Sequence, residues 1–389
     1  MPPKFEDFLL WGVTPYVVEL TRHYLSGQYA EQRASIETRL REDKRVVNLI
    51  GSMIRSGSGA YRIEFLSLTL WMLKRSYDVG PETAWGDLDR FLKGEIAKFD
   101  LFLLLVGTQI EKEIEFDKDV SFIPCGQLPE STEKIEALIP SWSNLGGVRP
   151  GGALRVTVDM PKIYPETDNF VIDESTAAFQ KLSEIALLVN ATRDLFCFPA
   201  KAFGFPKDDV PCGVFGGGGS SIVLSDFVPI RGCSITEDYI PALRESQKLF
   251  SGVSDVDKRI LSDAIRRFGS AKAWSDASQA ALDLGIATEM LLLGGERKSQ
   301  ELPDSLSMHF RTRGAWLIGR DANQRKEAYG SLRDIYAARS QVAHAGKLSG
   351  KNAIGPKHYD VVSEIIAQIL SRGSIPNTTE WSEIVLQAE

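Results

Sequence analysis

The spacing of apolar residues changes twice along this 389-residue chain, and these changes limit its fold more than any other feature. Up to about residue 97, apolar side chains recur every three to four residues, as they do on one face of an α-helix. Over residues 98–237, short apolar runs are separated by polar turns, which is typical of strands. From residue 238 the helical spacing returns. The sequence therefore predicts an α+β protein.

Four segments follow from these changes. Residues 1–97 are predicted to form a helical region, which Ser56-Gly57-Ser58-Gly59 divides into two halves. Residues 98–237 form a mixed α/β region that contains a strand meander. Residues 238–372 form an all-α bundle of five or six helices, and residues 373–389 form a short C-terminal tail.

The mixed region contains several predicted elements. Strands are expected at Phe99–Val106, Ile110–Phe116, Val120–Ile123, Leu154–Val158 and Ser221–Ile230. A helix is expected at Ser175–Thr192. Gly216-Gly217-Gly218-Gly219 resembles a phosphate-binding loop in composition only. Such a loop needs a lysine after its glycines and a helix behind it, and both are missing from this sequence pattern. A plain loop is the favoured interpretation.

In the C-terminal bundle the helices are expected to start and stop at recognisable residues. Their predicted ranges are Asp255–Phe268, Asp276–Leu293, Phe310–Ile318, Gln324–Ala343 and Pro356–Leu370. Gly294 and Gly346 each follow a periodic run, where glycine commonly ends a helix. Pro356 opens the last helix because proline is tolerated in the first turn.

The bulk composition excludes several classes of protein. Hydrophobic residues make up 43% of the chain and charged residues 25%, which is typical of a globular protein. The four cysteines lie far apart without a Cys-x2-Cys pair, so the sequence predicts no metal site, no disulfide framework and a reducing cytoplasm. The N-terminus lacks a signal-peptide layout, and the longest apolar run, Leu101–Val106, is too short for a bilayer. A cytoplasmic protein without a membrane segment is expected.

Chemistry is suggested by the string Arg339-Ser340-Gln341-Val342-Ala343-His344. Arginine can hold a phosphate, and histidine can move a proton near neutral pH. Five residues turn an α-helix by about 500°, so Arg339 and His344 should point about 140° apart. The length of the arginine and the position of His344 just before the helix end can reconcile this geometry with a shared site.

The same string has a structural interpretation. Basic residues and histidines are enriched in the last turns of helices because they interact favourably with the terminal carbonyl groups. Residues 281–372 contain 13 lysines and arginines against 10 acidic residues, whereas the whole chain has a net charge of −7. This local basic excess indicates a phosphate-bearing partner or an ordinary fluctuation of surface charge.

The residues around the string resemble a known family. Tyr336 to Gly346 is similar to the Y-x-x-R-S-x-x-x-H-x-G signature of the HEPN superfamily, in its Apea-like branch. Ile286 to Gly294 resembles the A-L-E-x-L-L-L-G helix of that branch, with Thr288 in place of the usual leucine. The resemblance covers about residues 240–372, and residues 1–235 look like the variable N-terminal parts that accompany such domains.

The resemblance implies a fold and a function. HEPN domains are helical bundles that commonly form homodimers in which two R-x4–6-H motifs meet. Many are metal-independent endoribonucleases of toxin–antitoxin and phage-defence systems, so RNA is the expected partner and no cofactor is expected. A regulatory partner or a phage-derived trigger would control such an effector, and the N-terminal parts would sense or restrain it. The alternatives are a non-catalytic HEPN module that binds RNA or nucleotide or scaffolds a defence complex, and an unrelated helical regulator.

Residue roles also come from the resemblance. His344 would activate the ribose 2′-OH or protonate the leaving 5′-oxygen, Arg339 would hold the scissile phosphate, and Ser340 would orient either group. Supporting roles fall to Glu289 and Tyr336, although a hydrogen bond within the bundle and simple packing are the structural alternatives. The expected RNA contacts are Arg333, Arg313 and Lys347, for which a solvated helix face is the alternative. His309 and His358 are expected at the surface or at helix ends.

Overall fold

A computed structural model describes ten stretches of the chain, and these form two compact units. The described residues are 2–10, 13–56, 59–139, 149–162, 173–207, 209–211, 219–221, 232–294, 303–348 and 353–386. The first unit comprises Met1–Val106, Ile110–Ser183 and Pro199–Asp226, and the second comprises Gly107–Gln109, Glu184–Phe198 and Phe227–Glu389. Within the described residues, no helix is both long enough and apolar enough to cross a bilayer.

The first unit begins with helices, as predicted. They are α1 (Val13–Leu25), α2 (Ala30–Glu42), α3 (Lys44–Leu49), α4 (Phe65–Val79) and α5 (Pro81–Lys93). The predicted break falls between α3 and α4, where β1 (Met53–Ser56) and β2 (Gly59–Arg62) pair antiparallel with Ser56 opposite Gly59. Gly57 and Ser58 of the break lie outside the described residues. Each strand has only four residues, and periodicity cannot distinguish so short a run from a helix end.

The remaining strands belong mainly to one sheet. In chain order they are β3 (Ile96–Val106), β4 (Thr108–Gln109), β5 (Ile114–Glu115), β6 (Val120–Ile123), β7 (Pro150–Pro161), β8 (Phe198–Pro206), β9 (Gly219–Ser221) and β10 (Cys233–Ser234). The sheet of the first unit has the order β5-β6-β7-β3-β8-β9. The two-residue strands β4 and β10 pair with each other in the second unit.

This order corrects the predicted meander. Its second strand, predicted at Ile110–Phe116, is reduced to the two residues of β5, which pair with β6. β7 lies between β6 and β3. β3 pairs with β7 along its whole length, from Ile96 opposite Pro161 to Val106 opposite Pro150. β3 has eleven residues, and the last six of them are all buried. The backbone hydrogen-bonding groups of such a buried strand need partners along its whole length. The twelve-residue β7 can provide them and the two-residue β5 cannot. That choice is non-local and cannot be read from strand spacing.

Two further helices of the first half are α6 (Thr132–Leu138) and α7 (Asp173–Val189), and the second confirms the helix predicted at Ser175–Thr192. The strand predicted at Leu154–Val158 is the centre of β7. Residues 222–230 of the strand predicted at Ser221–Ile230 lie outside the described residues, as does Gly216 to Gly218 of the glycine run.

The C-terminal region is helical, as predicted. Its helices are α8 (Ile240–Ser251), α9 (Asp255–Ala273), α10 (Ala277–Leu293), α11 (Pro303–Ile318), α12 (Ala322–Ala345), α13 (Pro356–Arg372) and α14 (Thr378–Leu386). Local signals set several ends. The Asp321 carboxylate accepts hydrogen bonds from the backbone N–H groups of Asn323 and Gln324 at the start of α12. Gly346 ends α12 in the left-handed conformation at φ +71°, and its N–H donates to the Val342 carbonyl at 2.8 Å.

The bundle has one main apolar core, and the predicted tail belongs to it. Leu284, Leu332 and Ile365 are fully buried there together with Trp381 of α14. The sequence predicted residues 373–389 as a short C-terminal tail, whereas Thr378–Leu386 of this segment form α14 and pack onto this core. Burial of one indole side chain is enough to attach it to the bundle, since a tryptophan buries a large apolar area.

A polar contact joins the end of α7 to α9 inside the second unit. The Lys272 ammonium donates hydrogen bonds to the carbonyl oxygens of Asn190 at 2.8 Å and Thr192 at 2.6 Å, and also to that of Leu195. The same Nζ lies 4.3 Å from the centroid of the Phe268 ring. Burial lowers the pKa of Lys272 to about 7. Lys272 therefore caps three carbonyl groups where α7 ends.

Candidate active site

The arginine of the R-x4-H string lies where α12 crosses α10. A Cβ atom at Gly285 of α10 would be 2.4 Å from Cβ and 2.5 Å from Cγ of Arg339, well inside contact distance. Only glycine fits there, so the backbone of α10 approaches the arginine directly. Gly285 was not among the site residues predicted from the sequence. It lies four residues before Glu289, and this spacing places both residues on one helix face. The spacing could have identified Gly285 as the point where another helix packs beside Glu289.

Arg339 is held by an ion pair with Glu289. Nη2 of Arg339 lies 3.1 Å from Oε2 of Glu289, and the two side chains are 32% and 24% exposed. Burial raises the pKa of the Glu289 carboxyl above its ordinary range, and the nearby Arg339 charge only partly offsets this rise. Nε of Arg339 is buried and has no hydrogen-bond partner among the described residues. The guanidinium therefore retains unused donor capacity.

The rest of the string lies around the last turn of α12. His344 and Lys347 are exposed, whereas Ser340 is half-buried. Arg339 contacts α10, while His344 is exposed to solvent at the helix end. This difference agrees with the divergence of about 140° expected from helix geometry. Within one chain, the fold brings Glu289 to Arg339 and leaves His344 at the surface, where a second molecule can reach it.

Tyr336 has a packing role in the bundle. Its ring meets that of Phe310 edge to face, with centroids 5.4 Å apart. Phe310 is fully buried, and Tyr336 packs against the main core of the bundle. These contacts agree with the packing alternative for this residue.

One of the expected RNA contacts is wrong as a surface contact. Arg313 is only 6% exposed, its Nη1 donates to the Leu292 carbonyl at 3.1 Å, and its guanidinium lies 5.4 Å from the Trp381 ring centroid. The charge is buried because α14 covers α11, which the sequence pattern did not reveal. Arg333 is exposed as expected, with its Nη2 3.1 Å from Oδ1 of Asp334.

His358 differs in part from its prediction. It is near the N-terminal end of α13, as expected for a helix-terminal residue, but it is buried rather than on the surface. Its Nδ1 accepts a hydrogen bond from the Gly355 N–H at 2.8 Å, so it caps the helix. Burial lowers the pKa of His358 below its ordinary range. The histidine His309 of α11 is partly buried.

Gly285→Ala should destabilise the bundle by about 1–2 kcal/mol, because the clash with Arg339 exceeds the gain in helix propensity. Gly330→Ala in α12 is the matched control. An added Cβ at Gly330 meets no atom within 4 Å, so this variant should be slightly more stable than wild type. Urea unfolding of both variants measures the difference. Equal stabilities would contradict the close crossing of the two helices.

Comparison with known proteins found no matching family model, no matching curated protein and no matching solved structure. The informative group is Arg339, Glu289, Ser340 and His344.

Proposed function

We propose that this chain is a metal-independent endoribonuclease of HEPN type, acting in the cytoplasm as a phage-defence or toxin-type effector. The observation that best supports this proposal is the state of Arg339. Its guanidinium is fixed by Glu289 on one side, its side chain remains 32% exposed, and it belongs to the same helix end as the exposed His344. A positioned and partly exposed guanidinium is suited to a phosphate.

The chemistry assigned to these residues is transfer of the phosphate to the neighbouring ribose oxygen. His344 removes the proton of the 2′-OH as this oxygen attacks phosphorus, or protonates the 5′-oxygen as its bond to phosphorus breaks. Arg339 stabilises the negative charge that develops on the phosphate oxygens. Ser340 follows Arg339 on α12 and orients the phosphate or the imidazole. The RNA approaches over Arg333 and Lys347, which are exposed.

Each chain supplies one histidine to this site, while the reaction needs an acid and a base. In the proposal, a homodimer brings two copies of the α12 end together, so that His344 of each copy takes one of the two roles. The first unit senses a trigger or restrains the bundle, and a regulatory partner or a phage-derived molecule releases the activity.

A non-catalytic HEPN module that binds RNA or nucleotide, or that scaffolds a defence complex, is the second candidate. One observation favours it. The Glu289 carboxylate already neutralises Arg339 at 3.1 Å, and a phosphate would have to compete with that carboxylate. In this case the arginine has a structural or binding role, and RNA would be bound without being cut.

The proposal is tested by incubating the purified chain with mixed cellular RNA in the presence of EDTA. Cleavage should persist, because EDTA removes only metal ions and the proposed catalytic groups are all side chains of the protein. The products should end in a cyclic phosphate that bridges the 2′ and 3′ oxygens, with a 5′-hydroxyl on the other fragment, as attack by the 2′-OH requires. Ends with a 5′-phosphate would indicate a different reaction, and bound but intact RNA would favour the non-catalytic module.

A further inference from the structure

The first unit contains a cavity of about 240 Å³ beside α1 and α4, which the proposed ribonuclease site does not use. Four aromatic residues line it: Phe5, Tyr16, Tyr24 and Tyr77. Phe5, Tyr16 and Tyr24 are each at most 2% exposed, whereas Tyr77 is 55% exposed. The cavity thus has a buried aromatic wall and an aromatic side chain at its entrance.

Charged residues complete the lining, and they carry a net negative charge. The carboxylates are Glu6, Asp78 and Glu130, and the ammonium groups are those of Lys4 and Lys74. Lys74 is already used, because its Nζ donates to Oδ2 of Asp78 at 2.8 Å. Three carboxylates against two ammonium groups make the cavity unfavourable for an anion and favourable for a cation.

Hydrogen bonding fixes one of the carboxylates in the wall. The Tyr16 hydroxyl donates to Oε2 of Glu130 at 2.7 Å. The pKa of Tyr16 is raised, first by burial and then by Glu130, and the pKa of Tyr24 is raised by burial and by Asp78. The negative charge of these carboxylates disfavours ionisation of the two tyrosines to phenolates. The same negative charge would stabilise a cation in the cavity.

One ring of the aromatic cluster already has a cation as its partner. Nζ of Lys134 lies 5.5 Å from the centroid of the Phe5 ring, within the range of cation–π attraction. Tyr16, Tyr24 and Tyr77 are therefore the rings that a ligand would use. Aromatic faces combined with carboxylates select positively charged groups that carry apolar substituents, because the rings attract the charge and contact the methyl groups. From this lining we infer that the cavity binds a small organic cation of the alkylated ammonium class.

Isothermal titration calorimetry of the full-length chain with choline chloride tests the inference. The matched ligand is the tert-butyl analogue of choline, in which an uncharged carbon replaces the charged nitrogen, and sodium chloride controls for ionic strength. Choline should bind at one site per chain, and its neutral analogue should bind at least tenfold more weakly. Equal binding of the two compounds, or no heat from either, would overturn the inference.

Variants locate the binding in the cavity. Asp78→Asn should weaken choline binding about fivefold, since it removes one charge a few ångströms from the ligand. Tyr77→Leu should weaken it about two- to fivefold, and its exposure means that the core is left intact. Glu31→Gln removes the same charge from an exposed position of α2 outside the cavity, and binding should stay unchanged. If Asp78→Asn and Tyr77→Leu both bind choline like wild type, choline binds elsewhere and the inference is wrong.

Discussion

His344→Ala is expected to lower the rate of RNA cleavage by about 10²–10⁴-fold, the usual contribution of a general acid or base. The folded state should be almost unaffected, because the imidazole is exposed in the last turn of α12 and surface substitutions usually change stability by no more than about 0.5 kcal/mol. Cleavage is measured on a labelled RNA with excess enzyme, and unfolding in urea confirms that the variant folds. A loss of cleavage without a loss of stability is the expected combination.

Arg339→Ala should lower cleavage as well, with a different secondary effect. It leaves the partly buried Glu289 carboxylate without its cation, so some stability is lost together with activity. Arg266→Ala is the matched control. Arg266 is exposed on α9 of the same bundle and pairs with Asp263, so its removal should leave cleavage unchanged. If His344→Ala and Arg339→Ala both cut RNA like wild type, the site proposed here is wrong.

Lys272→Met should destabilise the second unit by about 3 kcal/mol. Methionine preserves most of the apolar volume, but it removes the lysine donor from the carbonyl groups of Asn190, Thr192 and Leu195. The Thr192 carbonyl keeps one hydrogen bond, from the Leu195 N–H at 3.4 Å. An unsatisfied buried acceptor costs about 1–3 kcal/mol, and relaxation of the chain at the end of α7 offsets part of the total. Lys248→Met is the control, since Lys248 is exposed near the end of α8 and should change stability little. Urea unfolding followed by circular dichroism compares the two.

The same lysine makes stability depend on pH in a definite direction. Its pKa is about 7 in the folded chain and returns to 10.5 when the chain unfolds. Between these values the unfolded chain binds more protons, so the stability of wild type should rise with pH relative to that of Lys272→Met. Below about pH 7 the difference should be constant. A difference that stays flat or falls between about pH 7 and pH 9 would contradict a buried ammonium at this position.

Local signals in the sequence predicted most helix ends of the C-terminal region to within two residues because their causes lie nearby. The exceptions are α9, which ends five residues after the predicted Phe268, and α11, which begins seven residues before the predicted Phe310. The start of α12 depends on the Asp321 side chain, and its end depends on the freedom of Gly346 to adopt a positive φ. Pro81 and Pro356 begin α5 and α13 for a similarly local reason. The change of periodicity near residue 98 likewise marked the start of β3 to within two residues.

Contacts between distant segments were predicted poorly. The burial of Arg313 depends on α14, whose Trp381 lies 68 positions later in the chain. The insertion of β7 between β6 and β3 depends on which strands have matching lengths. Neither depends on the residues next to it in sequence, so neither leaves a periodic pattern there.

The candidate site combines both kinds of information. By itself, the sequence determined the helix that carries Arg339 and His344, the position of His344 in its last turn, and the basic charge around it. Only the tertiary structure decided what Arg339 contacts. Glu289 reaches it because α10 crosses α12 at Gly285, where the missing side chain lets the two helices approach. Helix ends result from backbone conformation and nearby hydrogen bonds, whereas a charge pair 50 residues apart exists only when packing brings its two helices together.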